Sequence, residues 1–362
     1  MDLSDYTFTP DLSRASTIPA RWYIDPAFLE AERRAVFGRT WQAVGHASSV
    51  AAPGSYLACE IAGEPVLVAR GKDGALRAFS NVCRHRGSLL AEGEGRASVL
   101  RCPYHAWTYS LEGSLLGQPE FEGVEDWDRS KICLPQFQAE TWGPFLLVNL
   151  DRQAPPVAGI LGAIPEEIAR IGCPLGELKF SRRRDYVIQS NWKVYIDNYL
   201  EGYHLPAAHP GLCRELDYQQ YRVETFPTYS SQIAPIRAAA GRAAAEARRY
   251  EYADSAHRAL YYWIFPNFML NVYPDNLSSN IILPMGPDRT LTIFEWFAAG
   301  GEVAQATIDF SDEIQREDIR ICESVQRGLR SRNYSQGRFS VKRENGVHHF
   351  HGLLNRYLCE PS

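Results

Sequence analysis

Two short stretches of this chain carry paired metal-binding side chains. In NVCRHRGSLL, residues 81–90, Cys83 and His85 stand two positions apart. In RCPYHAWTYS, residues 101–110, Cys102 and His105 stand three apart. Each pair offers one soft thiolate and one imidazole. Four such donors close a tetrahedral zinc site, or they hold a [2Fe–2S] cluster with both cysteines on one iron and both histidines on the other. Gly87 and Pro103 make tight turns beside the ligands, where backbone N–H groups can hydrogen-bond cluster sulfurs, and Trp107 can shield the site. That setting favours the cluster. A second constellation lies in NWKVYIDNYLEGYHLPAAHP, residues 191–210. His204 and His209 are five apart on a segment that begins helical and is expected to break at Pro206. Two histidines and one carboxylate on one face of a metal are the donor set of non-haem Fe(II) oxygenases, with the other face open to O2 and substrate. A histidine pair by itself is more often structural.

These residues need a frame to hold them. A chain of 362 residues forms one large or two ordinary domains. Residues 21–40 carry a helical pattern, with DPAFLEAERRAVFGRT at its heart, Asp25 as N-cap and Pro26 in the first turn. From about Trp41 to Asn149, short apolar runs such as SYLACEIAG and PFLLVNL alternate with Gly, Asp and Pro turns, and Asp73-Gly74 marks a hairpin. Residues 151–159 read as a linker. Beyond it, PEEIARIG is helical, RRRDYVIQ, SSNIILPM and RTLTIFEWFAA alternate as strands, and residues 236–252 and 309–331 are helical. The expected fold is α+β. A small antiparallel β domain spans 41–150, and a larger α+β domain with a central antiparallel sheet is built from 1–40 and 151–362.

A net charge of −5 gives no footprint for nucleic acid. No apolar run approaches the roughly 18 residues that span a membrane, and the acidic, polar start does not read as a signal peptide. A cytoplasmic protein is expected. The eight cysteines are too sparse for a disulfide scaffold. Cys59, Cys133, Cys173, Cys213, Cys322 and Cys359 are expected to be mostly buried apolar residues.

CRHRG followed by CPYHAW resembles the ligand motif of the Rieske family, which makes Cys83, His85, Cys102 and His105 the cluster ligands. Residues 198–209 resemble the iron-binding segment of Rieske non-haem iron oxygenase α subunits, whose pattern Asn198, Glu201, Tyr203, His204 and His209 fit. QREDIRICESVQRGLRS resembles that family's late helix and implies Asp318 as the third iron ligand. Glu317 is its rival, since adjacent helical residues point about 100° apart and only one can face the metal. Glu323 and Arg327 read as a solvated helical pair. The resemblance further implies that Glu201 links a cluster histidine of one subunit to the iron-binding His204 of the next, in a head-to-tail homotrimer. Residues 265–290 and 346–358 are most similar in texture to the choline and carnitine monooxygenase group.

The activity so implied is that of a terminal oxygenase. Electrons pass from the Rieske cluster to a mononuclear Fe(II), which activates O2 to hydroxylate a small substrate. With no dinucleotide or flavin motif in the chain, NAD(P)H must act through a separate reductase, directly or by way of a ferredoxin. Trp192, Tyr195, Tyr199, Tyr203, Tyr261, Tyr262, Trp263, Phe265 and Phe268 offer a cation–π cage for a quaternary ammonium, a pocket for an aromatic ring, or core packing. An aromatic ring-hydroxylating dioxygenase and a non-catalytic Rieske electron carrier are the competing functions. His348, His349 and His351 read as packing or interface residues.

Overall fold

The computed structural model describes residues 2–235, 258–273 and 276–360. The helix expected over 236–252 lies outside the described residues. The chain divides into two compact units, one formed by 37–157 and the other by 1–36 together with 158–362.

The small unit is a seven-stranded antiparallel sheet plus a three-stranded one. The expected hairpin joins strands Glu64–Arg70 and Leu76–Ser80, with Arg70 opposite Leu76. Gly74 supplies the left-handed residue at φ +78°, and the Asp73 carboxylate accepts the N–H of Ala75 at 3.0 Å, which closes the turn locally. The three-stranded sheet, Leu100–Arg101, Thr108–Tyr109 and Leu115–Gly117, carries the second Cys-His pair between its first two strands.

The large unit is built on a seven-stranded antiparallel sheet. Its order runs Lys179–Ile188, Arg289–Ala298, Leu277–Gly286, Phe268–Val272, Arg258–Ile264, Tyr229–Pro235, Arg222–Thr225. Three helices matter for the site: a site helix Trp192–Tyr199, a long helix Gln305–Leu329 and a last helix Asn345–Cys359. Asn191 caps the site helix, its side chain accepting the N–H of Lys193. The N-terminal helix is shorter than its sequence suggests. Pro26–Glu32 is capped by Asp25 as expected, but the continuation Arg33–Phe37 winds as a π-helix.

The site helix is anchored by apolar burial and by one ion pair. Trp192 is fully buried, with Phe350 of the last helix edge-on at 5.7 Å. Truncating such a side chain costs about 3–5 kcal/mol. Lys193 Nζ meets Glu32 Oε1 at 2.6 Å with both side chains wholly enclosed, and Trp192 Nε1 donates to Glu32 Oε2 at 2.7 Å. Burial pushes Glu32 up and Lys193 down, and their pairing opposes both shifts. Removing either partner strands a buried charge, at a cost of about 3–5 kcal/mol.

The cysteine expectation holds for Cys173 and Cys322, which are buried, but Cys133 and Cys359 are exposed. Glu323 does not sit as half of a solvated pair; its carboxylate takes the N–H of Gln189 at 3.1 Å. The histidines of the last helix are packing residues. His348 stacks on Phe8 and reaches Thr9 O at 2.8 Å, His349 is pushed down to about 4 by burial, and His351 is completely buried. No helix among the described residues is long and apolar enough to cross a membrane.

Candidate metal centres

The two Cys-His stretches fold into loops with the same hydrogen-bond pattern. The Cys83 N–H donates to Ser88 O at 2.8 Å and the Gly87 N–H returns to Cys83 O at 3.1 Å. In the second loop, the Cys102 N–H donates to Trp107 O at 2.8 Å and the Ala106 N–H returns to Cys102 O at 3.0 Å. The returning residue is left-handed in both loops, Gly87 at φ +78° and Ala106 at φ +59°. Both cysteines are buried. The histidine rings lie 4.7 Å apart, and each keeps a buried Nδ1 with no hydrogen-bond partner. Burial and the neighbouring Cys102 push the Cys83 thiol up. Burial also works against the Cys102 thiolate, but the N–H groups of Tyr104 and His105 outweigh it and hold that thiol below its ordinary value.

A buried imidazole nitrogen with no partner is costly unless it meets a metal. Two buried thiols beside two orphaned imidazole nitrogens are the donor set of a [2Fe–2S] cluster with cysteines on one iron and histidines on the other. Trp107 lies parallel to the His85 ring at 4.8 Å and 9°, and the Tyr109 hydroxyl sits 3.4 Å from Cys83 Sγ.

The second centre forms where the site helix ends. The chain breaks after Leu200, not at Pro206. Pro206 instead lies in the first turn of the short helix Leu205–Ala208, a position where its missing N–H costs nothing. Glu201 is therefore past the helix rather than a helical turn before His204, and the bend still joins them. Glu201 Oε1 lies 2.5 Å from His204 Nδ1, while Oε2 accepts the backbone N–H groups of Tyr203 and His204. His209 Nδ1 is held by Glu317 Oε2 at 2.6 Å. Asp318 Oδ1 stands 3.0 Å from His209 Nε2 and 3.7 Å from His204 Nε2. Both Nε2 atoms thus converge with Asp318, and each Nδ1 is fixed by a glutamate. Burial opposes the His209 imidazolium, but Asp318 and then Glu317 outweigh it and raise this histidine.

These residues open on a cavity of about 150 Å³. Asn198, Glu201, His204, His209 and Asp318 line it. Tyr203 does not; the residue is 58% exposed. Of the aromatic residues singled out from sequence, Tyr195, Tyr199 and Tyr261 line the cavity, whereas Trp192, Tyr262, Trp263, Phe265 and Phe268 are buried elsewhere in the core. Tyr221, Tyr273, Phe294, Trp296 and Phe310 complete the aromatic wall. Phe294 and Trp296 are two apart on one strand, so alternation puts both on the cavity face. Asn271, Ser278 and Asn280, on the neighbouring strands of the same sheet, give the cavity a polar surface.

Comparison with known proteins identifies the family. Residues 40–128 match the Rieske [2Fe-2S] domain, and residues 175–360 match the ring hydroxylating alpha subunit (catalytic domain). The chain is 35% identical to the chloroplastic choline monooxygenase of Arabidopsis thaliana, covering 96% of this chain and 84% of that protein. It is 34% identical to the carnitine monooxygenase oxygenase subunit of Escherichia coli K12, covering 96% and 95%. It superimposes with a TM-score of 0.84 and 31% identity on a quaternary ammonium Rieske monooxygenase studied for carnitine oxidation and inter-subunit electron transfer, over 95% of each chain. The chain belongs to the Rieske non-haem iron oxygenase α subunits and is a terminal oxygenase with a Rieske [2Fe–2S] cluster and a mononuclear iron.

Proposed function

We propose that this oxygenase acts on a quaternary ammonium compound, with His204, His209 and Asp318 holding the mononuclear iron. On this reading the unit 37–157 is the cluster domain, Cys83 and Cys102 binding one iron and His85 and His105 the other. The remaining residues form the iron domain. The observation that carries the ligand assignment is the convergence of two Nε2 atoms and Asp318 Oδ1 while both Nδ1 atoms are tied to glutamates. A histidine fixed by a carboxylate at its outer nitrogen is oriented as a metal ligand and made more basic.

The iron supplies reductive activation of O2 with electrons relayed from the cluster. The chain's own residues do the rest. Glu201 and Glu317 set the two imidazole planes. Asn198 lies in the cavity beside them. Tyr195, Tyr261, Phe294 and Trp296 offer π-faces to a trimethylammonium head, which no hydrogen-bond donor can satisfy. Asn271, Ser278 and Asn280 offer amide and hydroxyl groups to the polar end of such a substrate. The aromatic enclosure excludes water from the reacting carbon. The relatives named for choline and for carnitine support the same substrate class.

Electrons come from NAD(P)H through a separate reductase, directly or by way of a ferredoxin. The working assembly is a cytoplasmic homotrimer in which the cluster of one subunit serves the iron of the next, with Glu201 accepting from a histidine on each side. Oxygen uptake with a generic reductase, over a panel of betaines, choline, carnitine and aromatic acids, tests the substrate class. Turnover of an uncharged aromatic with no response to any quaternary ammonium compound would move this chain to aromatic ring hydroxylation. Mixing a Cys83→Ser chain with a His204→Ala chain tests the assembly. Regained turnover in mixed trimers is expected, and mixed trimers that form but stay inactive would refute inter-subunit transfer.

A further inference from the structure

The cavity wall sorts its hydrogen bonds by direction. Four of the amide side chains that line it have their oxygens occupied. The Tyr199 hydroxyl donates to Asn271 Oδ1 at 3.1 Å, and the Tyr195 hydroxyl donates to Gln315 Oε1 at 2.6 Å. The Tyr221 hydroxyl donates to Gln232 Oε1. The fourth oxygen, Asn280 Oδ1, accepts from Asn271 Nδ2 at 3.2 Å. Backbone carbonyls, which can only accept, fix two of these directions. Gln232 Nε2 donates to Tyr199 O at 2.8 Å, so its oxygen is the end that meets Tyr221. Thr292 Oγ1 gives its hydrogen to Tyr186 O at 3.4 Å and therefore receives Gln315 Nε2 at 3.1 Å, which turns Gln315 Oε1 to Tyr195.

Donors are what this pattern leaves over. Asn271 Nδ2 also donates to Ser278 Oγ, at 3.0 Å. A serine oxygen that accepts in this way keeps its own hydrogen to give. Asn280, its oxygen taken by Asn271, has its Nδ2 as the end that remains for a ligand. Both residues line the cavity and are nearly enclosed, Ser278 at 7% and Asn280 at 3% exposure. A buried donor without an acceptor is costly, so the ligand has to supply one. The sheet register puts aromatic faces beside them. Ser278 stands opposite Trp296 and Asn280 opposite Phe294, one strand spacing of about 4.8 Å away.

We propose that the second end of the substrate is a carboxylate, held by Ser278 and Asn280 while its trimethylammonium head rests against Phe294 and Trp296. The proposal rests on the substrate being a quaternary ammonium compound, as read above. A carboxylate only accepts, so it answers both donors and brings no hydrogen of its own. Its bonds are charge-assisted and roughly twice as strong as those to a neutral oxygen. An alcohol at the same place brings a hydrogen to a part of the wall whose amide oxygens, on Asn271 and Asn280, are already taken. Ser278 and Asn280 are thus the residues that set specificity for the far end of the substrate, and Asn271 positions them.

The test is calorimetric titration of the oxidised holoenzyme, without reductant, with compounds of one chain length. These are a straight-chain trimethylammonium carboxylate, the matching alcohol, the matching methyl-ended compound, and the carboxylate with carbon in place of the ammonium nitrogen. The ammonium carboxylate should bind about ten- to a hundred-fold more tightly than the alcohol. Asn280→Asp keeps an oxygen for Asn271 and puts a second oxygen where the amide nitrogen was, so it should reverse that order. Ser278→Ala should weaken the carboxylate about ten-fold and leave the methyl-ended compound unchanged. Equal binding of carboxylate and alcohol by the parent, or the parent's order kept in Asn280→Asp, overturns the proposal. If Asn280→Asp does not fold, Ser278→Ala decides, and an equal loss for every compound is refuting. A carbon analogue that binds as tightly as the ammonium carboxylate would instead overturn the quaternary ammonium reading beneath it.

Discussion

The two metal centres hold their histidines by different means. In the cluster loops, His85 is clamped by a parallel indole, its Nδ1 has no polar partner, and two matching backbone rings close the turns. In the iron site the backbone is irregular, and each imidazole is tied by a carboxylate at Nδ1. One centre is shaped by stacking and turn geometry, the other by charge. The first should tolerate changes of charge and resent changes of shape; the second should do the opposite.

The sharpest way to break the comparison is to remove ligands. His209→Ala or Asp318→Ala should abolish mononuclear iron and leave the cluster's visible spectrum, while Cys83→Ser should do the reverse. Iron and acid-labile sulfide analysis reads both, and a variant that empties both centres would show that they are not separable. Next come the supports. Glu317→Gln should weaken iron binding about 10- to 100-fold, as for other groups that orient a ligand, with cluster content unchanged. Trp107→Leu should spare iron and shift the cluster's reduction potential. If Glu317→Gln keeps full iron affinity, charge is not what holds His209.

The metal-free protein offers a pH test with opposite signs at the two sites. Asp318 and Glu317 raise His209, so its contribution to stability is present below about pH 6.5 and is lost as pH rises through its folded value. Burial, then His105 and Arg86, lower His85, so its contribution is present above about 6.5 and is lost as pH falls. Ring-proton NMR of the apo-protein should find His85 titrating below His209, and the reverse order would remove the electrostatic contrast. The smallest expected effect concerns turn geometry. Ala106→Gly should stabilise the small unit by up to about 1 kcal/mol and Gly87→Ala destabilise it by about 1–2 kcal/mol, read by thermal unfolding.

Sequence exposed most of the donors and little of what orients them. Cys83, His85, Cys102, His105, His204 and His209 announce themselves because metal chemistry restricts residue type and local spacing. In the sequence Glu317 stands only as a rival to Asp318. Its role needs a partner 108 residues away, and no local pattern reports such a distance. The aromatic wall was half legible for a related reason. Tyr261 and Tyr262 are equivalent in composition, yet strand parity sends one into the cavity and the other into the core. Phe294 and Trp296 carried a readable signal, their two-residue spacing in RTLTIFEWFAA, but which face met the cavity depended on the sheet. The sequence puts the break at Pro206 and the structure puts it after Leu200, because proline is as much at home starting a helix as ending one.

The enclosed pair of Glu32 and Lys193 has a consequence for the order in which this protein is made. Its halves are 161 residues apart, and residues 37–157 between them form a unit of their own. At about 5–20 residues per second, the acidic partner is polymerised roughly 8–30 seconds before the lysine. Both cysteine loops are complete by then. Synthesis therefore runs from the cysteine loops to the proposed iron ligands: the first can fold on a nascent chain, while the second wait for Asp318 and for the last helix, whose Phe350 packs on Trp192.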